Sequence, residues 1–330
     1  MAYKSLAAVI ISSRETTSQL LACLHATLEA LYYCTPKSIT IDIIVNGNTD
    51  LAEAMRVQLE TTRFSAHGAH CRVRLWSIPF GDKAHALNIY WHEIYSDVDI
   101  VYFVDGYACM ALDSAKHLAS GLQGNPDALA AAAVPSEGRS APELRREMVA
   151  KGGLHGNLFA VRGQVVRQFR SLGFRLPLGL YRTDATVGSA LSFGLDPAQY
   201  GWSPMQFIQV VETATWTLAG VGGLSWDLRQ HWRRRLRQAR GALENWAVRY
   251  RFHLQRQPIA CLPSSVQELV QSWAEDDSAG LNERLRGNWL RLMAWRNLRS
   301  EKPLKPALQS LTPILLLTCD SPKENCLRQL

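Results

Sequence analysis

The stretch Asp97-Val98-Asp99-Ile100-Val101-Tyr102-Phe103-Val104-Asp105-Gly106-Tyr107 decides how the chain folds. Ile100 to Val104 is an apolar, β-prone run without internal Gly or Pro, bounded by polar residues, which is the pattern of a strand buried on both faces of a parallel sheet. The run stops at Asp105. A carboxylate at the carboxyl end of a central parallel strand sits where open α/β sheets take ligands, because the loops diverge there and leave a crevice. Asp and Gly are also common turn residues, so Asp105-Gly106 fits a plain turn as well. Asp97 and Asp99 precede the strand, at the opposite end of the sheet, and read as a solvated turn.

Working outward, the preceding chain repeats one pattern. Leu6 to Ile11 is a buried strand ending at Ser12-Ser13-Arg14-Glu15, and Thr17 to Tyr33 carries Leu20, Leu21, Leu24, Leu28 and Leu31 at helical spacing. Ile39 to Val45 is a second strand, broken at Asn46-Gly47-Asn48-Thr49-Asp50 and followed by a helix from Leu51 to Thr61. Val73 to Ile78 is a third, and Gly81-Asp82-Lys83 opens a helix to Tyr95. Strand and helix in alternation predict an α/β domain with a mostly parallel sheet flanked by helices. Four loops then meet at the carboxyl edge: Ser12 to Glu15, Asn46 to Asp50, Gly81 to Lys83 and Asp105 to Tyr107. Each can offer backbone N–H groups or a polar side chain to an anion.

Beyond Tyr107 the pattern predicts a helix over Asp113 to Gln123, a strand over Ala128 to Val134, a short helix over Glu143 to Val149, and a strand or hairpin over Gly152 to Val161. Phe207 to Thr217 is β-prone. Gly220 to Gly223 reads as a joint between a domain of residues 1–222 and a basic, mainly helical extension of residues 223–330. There, Trp226 to His253 interleaves Arg229, Arg233, Arg234, Arg235, Arg237, Arg240, Arg249 and Arg251 with Trp232, Trp246, Tyr250 and Phe252. Helices over Ser264 to Glu275 and Leu281 to Leu298 precede a proline-containing tail.

The 330 residues are 47% hydrophobic, enough for a substantial core, and carry a formal charge of +7, which fits a polyanionic partner. Seven cysteines without a CxxC pair indicate neither a disulfide framework nor a zinc ribbon, and a reducing, cytoplasmic compartment fits them. The amino terminus is too short in apolar residues for a signal peptide, and Leu311 to Cys319, interrupted by Pro313, is far short of a spanning helix. Peripheral attachment at the inner face of a membrane stays open.

The order of these motifs resembles family 2 glycosyltransferases, which have the GT-A fold. Val9 to Glu15 looks like that family's opening strand and turn, and Val45 to Asp50 like its Asp-Asp-Gly-Ser-Thr-Asp loop. Gly81 to Asn88 matches its Gly-Lys-x-x-Ala-Leu-Asn segment, and Phe103 to Tyr107 falls at its DxD motif. Leu154 to Arg162 resembles a strand before the acceptor site, Thr183-Asp184 falls at the Glu-Asp catalytic pair, and Gln230 to Arg234 partly resembles QxxRW.

The resemblance implies an inverting, hexosyltransferase-like enzyme that uses a nucleotide-sugar, with uridine diphosphate the commonest donor nucleotide. The acceptor would be a saccharide, a lipid-linked molecule or a small molecule. Ser12, Ser13, Arg14, Glu15 and Asn46 would hold the nucleotide, Lys83 and Arg233 would steady the diphosphate, Asp82 would belong to the donor-binding set, and Asp105 would contact the ribose, sugar or metal. Asp184 would be the base that takes the acceptor's proton. Its residue type also suits an N-cap for a helix starting at Ala185.

The second DxD aspartate is replaced by Tyr107, which leaves the expected Mg²⁺ or Mn²⁺ short of a ligand. Three accounts stay open: charge neutralisation without metal by Lys83, Arg162, Arg233 or Arg234; a metal held by Asp105 and donor phosphates with His155 or His231; or drift to another donor or loss of catalysis. His67, His70 and Cys71 lack a fourth ligand and read as a surface loop, and Cys109 lacks a base. A different class is a binding module, in which residues 226–253 contact nucleic acid or a membrane surface through arginines and aromatics. An amphipathic helix packing Leu236, Leu243 and Trp246 inward accounts for the same pattern.

Overall fold

The computed structural model describes residues 3–62, 69–138, 140–219, 228–301, 304 and 306–321, with residues 228–231 described as backbone alone. The joint expected at Gly220 to Gly223 lies outside the described residues. So does His67.

The amino-terminal half alternates as its sequence predicts: β1 (Ser5–Ser12), α1 (Thr17–Tyr32), β2 (Ser38–Asn46), α2 (Thr49–Thr61), β3 (His70–Ile78), α3 (Lys83–Ile89) and β4 (Ile100–Asp105). A π-helical turn, Tyr90–Ile94, continues α3. Next come β5 (Ala108–Met110), α4 (Ser114–Gly124), β6 (Ala130–Pro135), α5 (Ala141–Lys151), β7 (Leu158–Arg162), α6 (Gly163–Ser171), α7 (Thr183–Ser192), α8 (Pro204–Phe207) and β8 (Ile208–Leu218). The last third holds α9 (Leu228–Arg249), α10 (Val266–Asp276), α11 (Ser278–Leu285), α12 (Trp289–Ser300), α13 (Leu308–Leu311) and β9 (Ile314–Asp320).

One nine-stranded sheet results, in the order β5-β8-β6-β7-β4-β1-β2-β3-β9. The run β4-β1-β2-β3 is parallel, with Ile11 opposite Asp105 and Asn46 opposite Ile78, so these strands end along one edge. Beyond β4, β7 runs antiparallel, and its first residue Leu158 lies opposite Val104. The segment before β7, Gly152 to Asn157, is therefore delivered to the same edge.

Strand alternation divides the core. Val9 and Ile11 face one side with Val101 and Phe103, packing on α3, α6, α7 and α9 to α12. Ala8 and Ile10 face the other with Tyr102 and Val104, against α1, α2 and α4. Helix α1 starts on a capping box, in which Thr16 Oγ1 accepts the Gln19 N–H and Gln19 Oε1 accepts the Thr16 N–H.

Three elements differ from expectation. Leu281 to Leu298 is two helices, because Gly287 adopts φ +69° and Asn288 then caps α12. The proline-containing tail, for which no strand was expected, carries β9, which pairs antiparallel with β3 at the sheet edge. His70 and Cys71 lie in β3 rather than in a loop.

The basic segment packs inward, as the amphipathic alternative requires. Leu243, Ala247, Val248 and Phe252 are buried in the core that also holds Trp91 and Val187. Trp246 lies under the guanidinium groups of Arg249 and Arg284, and Trp232 stacks on Trp289 at 4.8 Å. These rings already have partners within the chain, whereas base stacking needs open faces.

Candidate active site

The strand ends of β1, β2 and β4 open into a cleft of about 570 Å³. Its strand side is lined by Ser12, Ser13, Arg14, Glu15, Asn46, Gly81, Lys83, Asp105 and Tyr107. Its far side is lined by His155 to Asn157, Leu180 to Asp184, Arg237 and Gln238. Ser12, Ser13, Arg14, Glu15, Asn46, Lys83, Asp105 and Asp184 are thus brought together.

The turn after β1 is shaped by Glu15, whose Oε2 accepts from the Ser12 hydroxyl at 2.6 Å and from the Ser13 and Arg14 N–H groups at 2.7 and 2.9 Å. Asn46, almost fully buried, donates to the Ser12 carbonyl at 2.9 Å, and Asn48 Nδ2 donates to that of Ser13 at 2.9 Å. Two loops are thereby fixed to one another. Gly47 lets the loop after β2 approach the one after β3: its φ is +67°, and a Cβ there would stand 2.4 Å from Gly81 Cα. Gly106 is needed for close approach, since its Cβ would meet that of Ser12 at 2.8 Å.

Asp105 is largely buried, and both of its oxygens are engaged. Oδ1 pairs with the Lys83 ammonium, and Oδ2 accepts the Tyr107 hydroxyl at 3.1 Å. The same hydroxyl reaches Asn157 Oδ1 at 3.2 Å, and the Asp105 N–H donates to the Asn157 carbonyl at 3.2 Å. Burial works against the Lys83 charge, but Asp105, Asp184 and Glu15 outweigh it and lift its pKa above the ordinary 10.5. Burial, reinforced by Asp105, raises the Tyr107 phenol, which therefore stays a donor at neutral pH.

Asp184 enters from the opposite side. Helix α7 begins at Thr183 with Arg182 at the cap position, so Asp184 is in the first turn rather than the N-cap. Its Oδ2 accepts the Gly156 N–H at 3.2 Å. A Cβ on Gly156 would stand 3.5 Å from both Asp184 Cγ and Lys83 Nζ, so the two charged groups flank one glycine. His155 stacks on Trp216 at 5.1 Å, and its Nδ1 accepts the Asn157 N–H at 3.3 Å. Burial lowers its pKa from the ordinary 6.5, against the opposing pull of Asp184 and Asp105, and keeps the ring neutral near pH 7.

Other expected residues lie elsewhere. Asp82 caps α3 through the His85 N–H at 2.8 Å and accepts the Gly179 N–H with its second oxygen, so its carboxylate holds a loop and is not part of the cleft lining. Arg233 and Arg234 are exposed on α9, away from the cleft lining; Arg237, one turn after Arg233, takes that place. Arg162 binds the carbonyls of Ala128, Leu122 and Asn125 beyond α4. The His231 side chain lies outside the described residues. Asp97 pairs with Arg167, and Asp99 accepts the Lys4 and Ser5 N–H groups at the far end of β1. Cys109 lies in β5, opposite Thr217.

The loop before α7 is held from both sides. Asn88 exchanges two hydrogen bonds with the backbone of Leu176 at 2.9 and 2.8 Å. Glu244, fully buried on α9, accepts the Tyr181 and Arg182 N–H groups at 2.9 and 3.3 Å and pairs with Arg240 at 3.1 Å. Glu244 was legible only as half of an i,i+4 Arg–Glu pair, a spacing that is usually solvated. Tyr181, Arg182 and Arg237 carry no motif signal of their own.

The Mg²⁺ or Mn²⁺ that the resemblance implies does not fit the donor set as it stands. One carboxylate faces the place a metal would take, with one oxygen on an ammonium and the other on a phenol. Among the described residues, no group of three or more His, Cys, Asp or Glu is arranged to hold a metal ion. Nor, among those residues, is any helix long and apolar enough to cross a membrane.

No family model and no curated protein matches the sequence. Solved structures do. A mannosyltransferase, PcManGT from Pyrobaculum calidifontis in complex with GDP-Man and Mn²⁺, matches with a TM-score of 0.53 and 16% identity, over 92% of this chain and 82% of its own. TarS from S. aureus, residues 1–349, matches at 0.50 and 10% identity, over 88% and 78%. Glucosyl-3-phosphoglycerate synthase from Mycobacterium tuberculosis matches at 0.45 and 13% identity, over 75% and 79%. At these identities the likeness is one of fold: the chain has the GT-A fold, shared with glycosyltransferases such as the Pyrobaculum calidifontis enzyme.

Proposed function

We propose that this protein transfers a sugar from a nucleoside diphosphate donor to an acceptor hydroxyl, with inversion at the anomeric carbon. One observation carries the reading: Asp184 and the Lys83–Asp105 pair line one cleft at the strand ends, with the Asp184 carboxylate and the Lys83 ammonium flanking Gly156. The GT-A fold agrees with it. Ser12 to Glu15 and Asn46 hold the nucleotide, with uridine diphosphate the first donor nucleotide to test. Lys83, with Arg14, Arg182 and Arg237 in the same lining, faces the diphosphate.

The acceptor oxygen bonds to the anomeric carbon as the bond from that carbon to the β-phosphate oxygen breaks. The departing electron pair stays on the diphosphate, and the acceptor proton passes to the Asp184 carboxylate. Attack from the Asp184 side, opposite the leaving group, inverts the centre. Tyr181, 43% exposed at the rim, offers a ring face to an acceptor sugar.

The test is a thermal-shift series with UDP, GDP and their sugars, followed by assay of nucleoside diphosphate release with candidate acceptors. A ligand that binds the folded state raises the melting temperature. A rise with a nucleoside diphosphate and its sugar, but not with the free base, is expected. No rise with any nucleotide rejects the proposal.

A further inference from the structure

We propose that the Lys83 ammonium occupies the role of the divalent cation in this cleft, so that the donor is bound and its diphosphate discharged without metal. The inference rests on reading the cleft as a nucleoside diphosphate sugar site and concerns how that site handles charge.

Three observations carry it. First, each oxygen of the Asp105 carboxylate already accepts from a neighbour: Oδ1 from Lys83, and Oδ2 from the Tyr107 hydroxyl at 3.1 Å. Mg²⁺ and Mn²⁺ require oxygen ligands in near-octahedral array, and a dication here would have to displace an ammonium of like charge. Second, Tyr107 does not merely lack a carboxylate. Its phenol bridges Asp105 and Asn157, locking Asp105 toward Lys83. Third, the lining already supplies Lys83, Arg14, Arg182 and Arg237 against Glu15, Asp105 and Asp184. Four cations against three carboxylates leave positive charge that can meet a dianionic diphosphate directly.

In the transfer step, negative charge grows on the β-phosphate oxygen as its bond to the anomeric carbon breaks. Lys83 keeps its proton and neutralises that charge, shared between Asp105 and the phosphate. The acceptor proton goes to Asp184, so no proton is required at the leaving group. Asp105 acts here as a positioning residue: it holds the ammonium at the strand end.

The experiment is isothermal titration of the full chain with UDP and with GDP, each in excess EDTA and again in Mn²⁺. Wild-type affinity is expected to agree within about twofold between the two conditions for the nucleotide that binds. Lys83→Met is expected to lose about tenfold or more in both, with Mn²⁺ giving no rescue, and Lys83→Arg to retain part of the affinity. A second variant, Lys83→Met combined with Tyr107→Asp, frees Asp105 and adds the second carboxylate; its binding is expected to become Mn²⁺-dependent. Wild-type affinity that rises about tenfold or more with Mn²⁺ overturns the inference while leaving sugar transfer intact. Binding of neither nucleotide in either condition overturns the nucleotide-site reading itself.

Discussion

Asp184 Oδ2 accepts the Gly156 N–H at 3.2 Å, which fixes the carboxylate of α7 against the segment that leads into β7. Asp184→Asn keeps an oxygen for this bond and removes the base. Turnover is expected to fall by about 10²- to 10⁴-fold, with the UDP dissociation constant and melting temperature little changed. Undiminished turnover in this variant shows that the base lies elsewhere.

His155 links the site to pH. Its folded pKa lies below the ordinary 6.5 because burial outweighs Asp184 and Asp105, with Lys83 and Arg182 pushing the same way as burial. The unfolded chain therefore takes up a proton first as pH falls, and the stability that His155 contributes above 6.5 is lost as pH drops toward its folded value. Between about pH 7 and about pH 5 the wild-type melting temperature should fall more steeply than that of His155→Gln. Parallel curves contradict the assignment.

Gly47→Ala tests the close approach between the loops after β2 and β3. The new methyl group meets a backbone atom rather than a yielding side chain, and the positive φ adds strain. A loss of at least about 2 kcal/mol in urea unfolding is expected, with weaker UDP binding. Gly138 also has positive φ, but nothing lies within 4 Å of its added Cβ, so Gly138→Ala bears only the backbone cost.

Glu244 holds the Tyr181–Arg182 backbone from inside the core. Glu244→Ala strands two N–H groups and half of the Arg240 pairing, and is expected to cost about 3 kcal/mol by chemical denaturation. Glu244→Gln retains an acceptor and should cost less. If the loop positions the acceptor, the alanine variant also raises the acceptor KM more than it alters nucleotide affinity.

β1, β2 and β4 were readable because each is a short apolar run cut off by polar residues and buried on both faces along most of its length, whereas β3 alternates, with Cys71, Val73 and Leu75 buried and His70 and Arg72 exposed. The same logic failed for β9. As an edge strand it leaves Ile314 and Leu315 about half exposed, so Leu-rich sequence after Pro313 carries no burial signature. β5, with three residues, is below any periodic signal. At the site, motif position identified Lys83 and Asp105 but misplaced two neighbours. Asp82 adjoins Lys83 in sequence, yet the start of a helix turns its side chain into a cap. Arg233 and Arg237 are equivalent in composition, and only the rotational setting of α9 on the core decides which one faces the cleft. Asp42, a carboxylate inside β2, gave no hint of the Arg74 and Trp76 donors that satisfy it at 2.7 and 2.9 Å.

The placement of β9 on β3 has a consequence for synthesis. Arg72 and Asp320, which face each other in that pairing, are 248 positions apart, so β3 leaves the ribosome well before the strand that covers its outer edge. In that interval the edge presents unpaired N–H and C=O groups to whatever lies nearby. An intermediate that lacks β9 is expected to associate edge to edge, because an uncovered strand templates pairing with another chain.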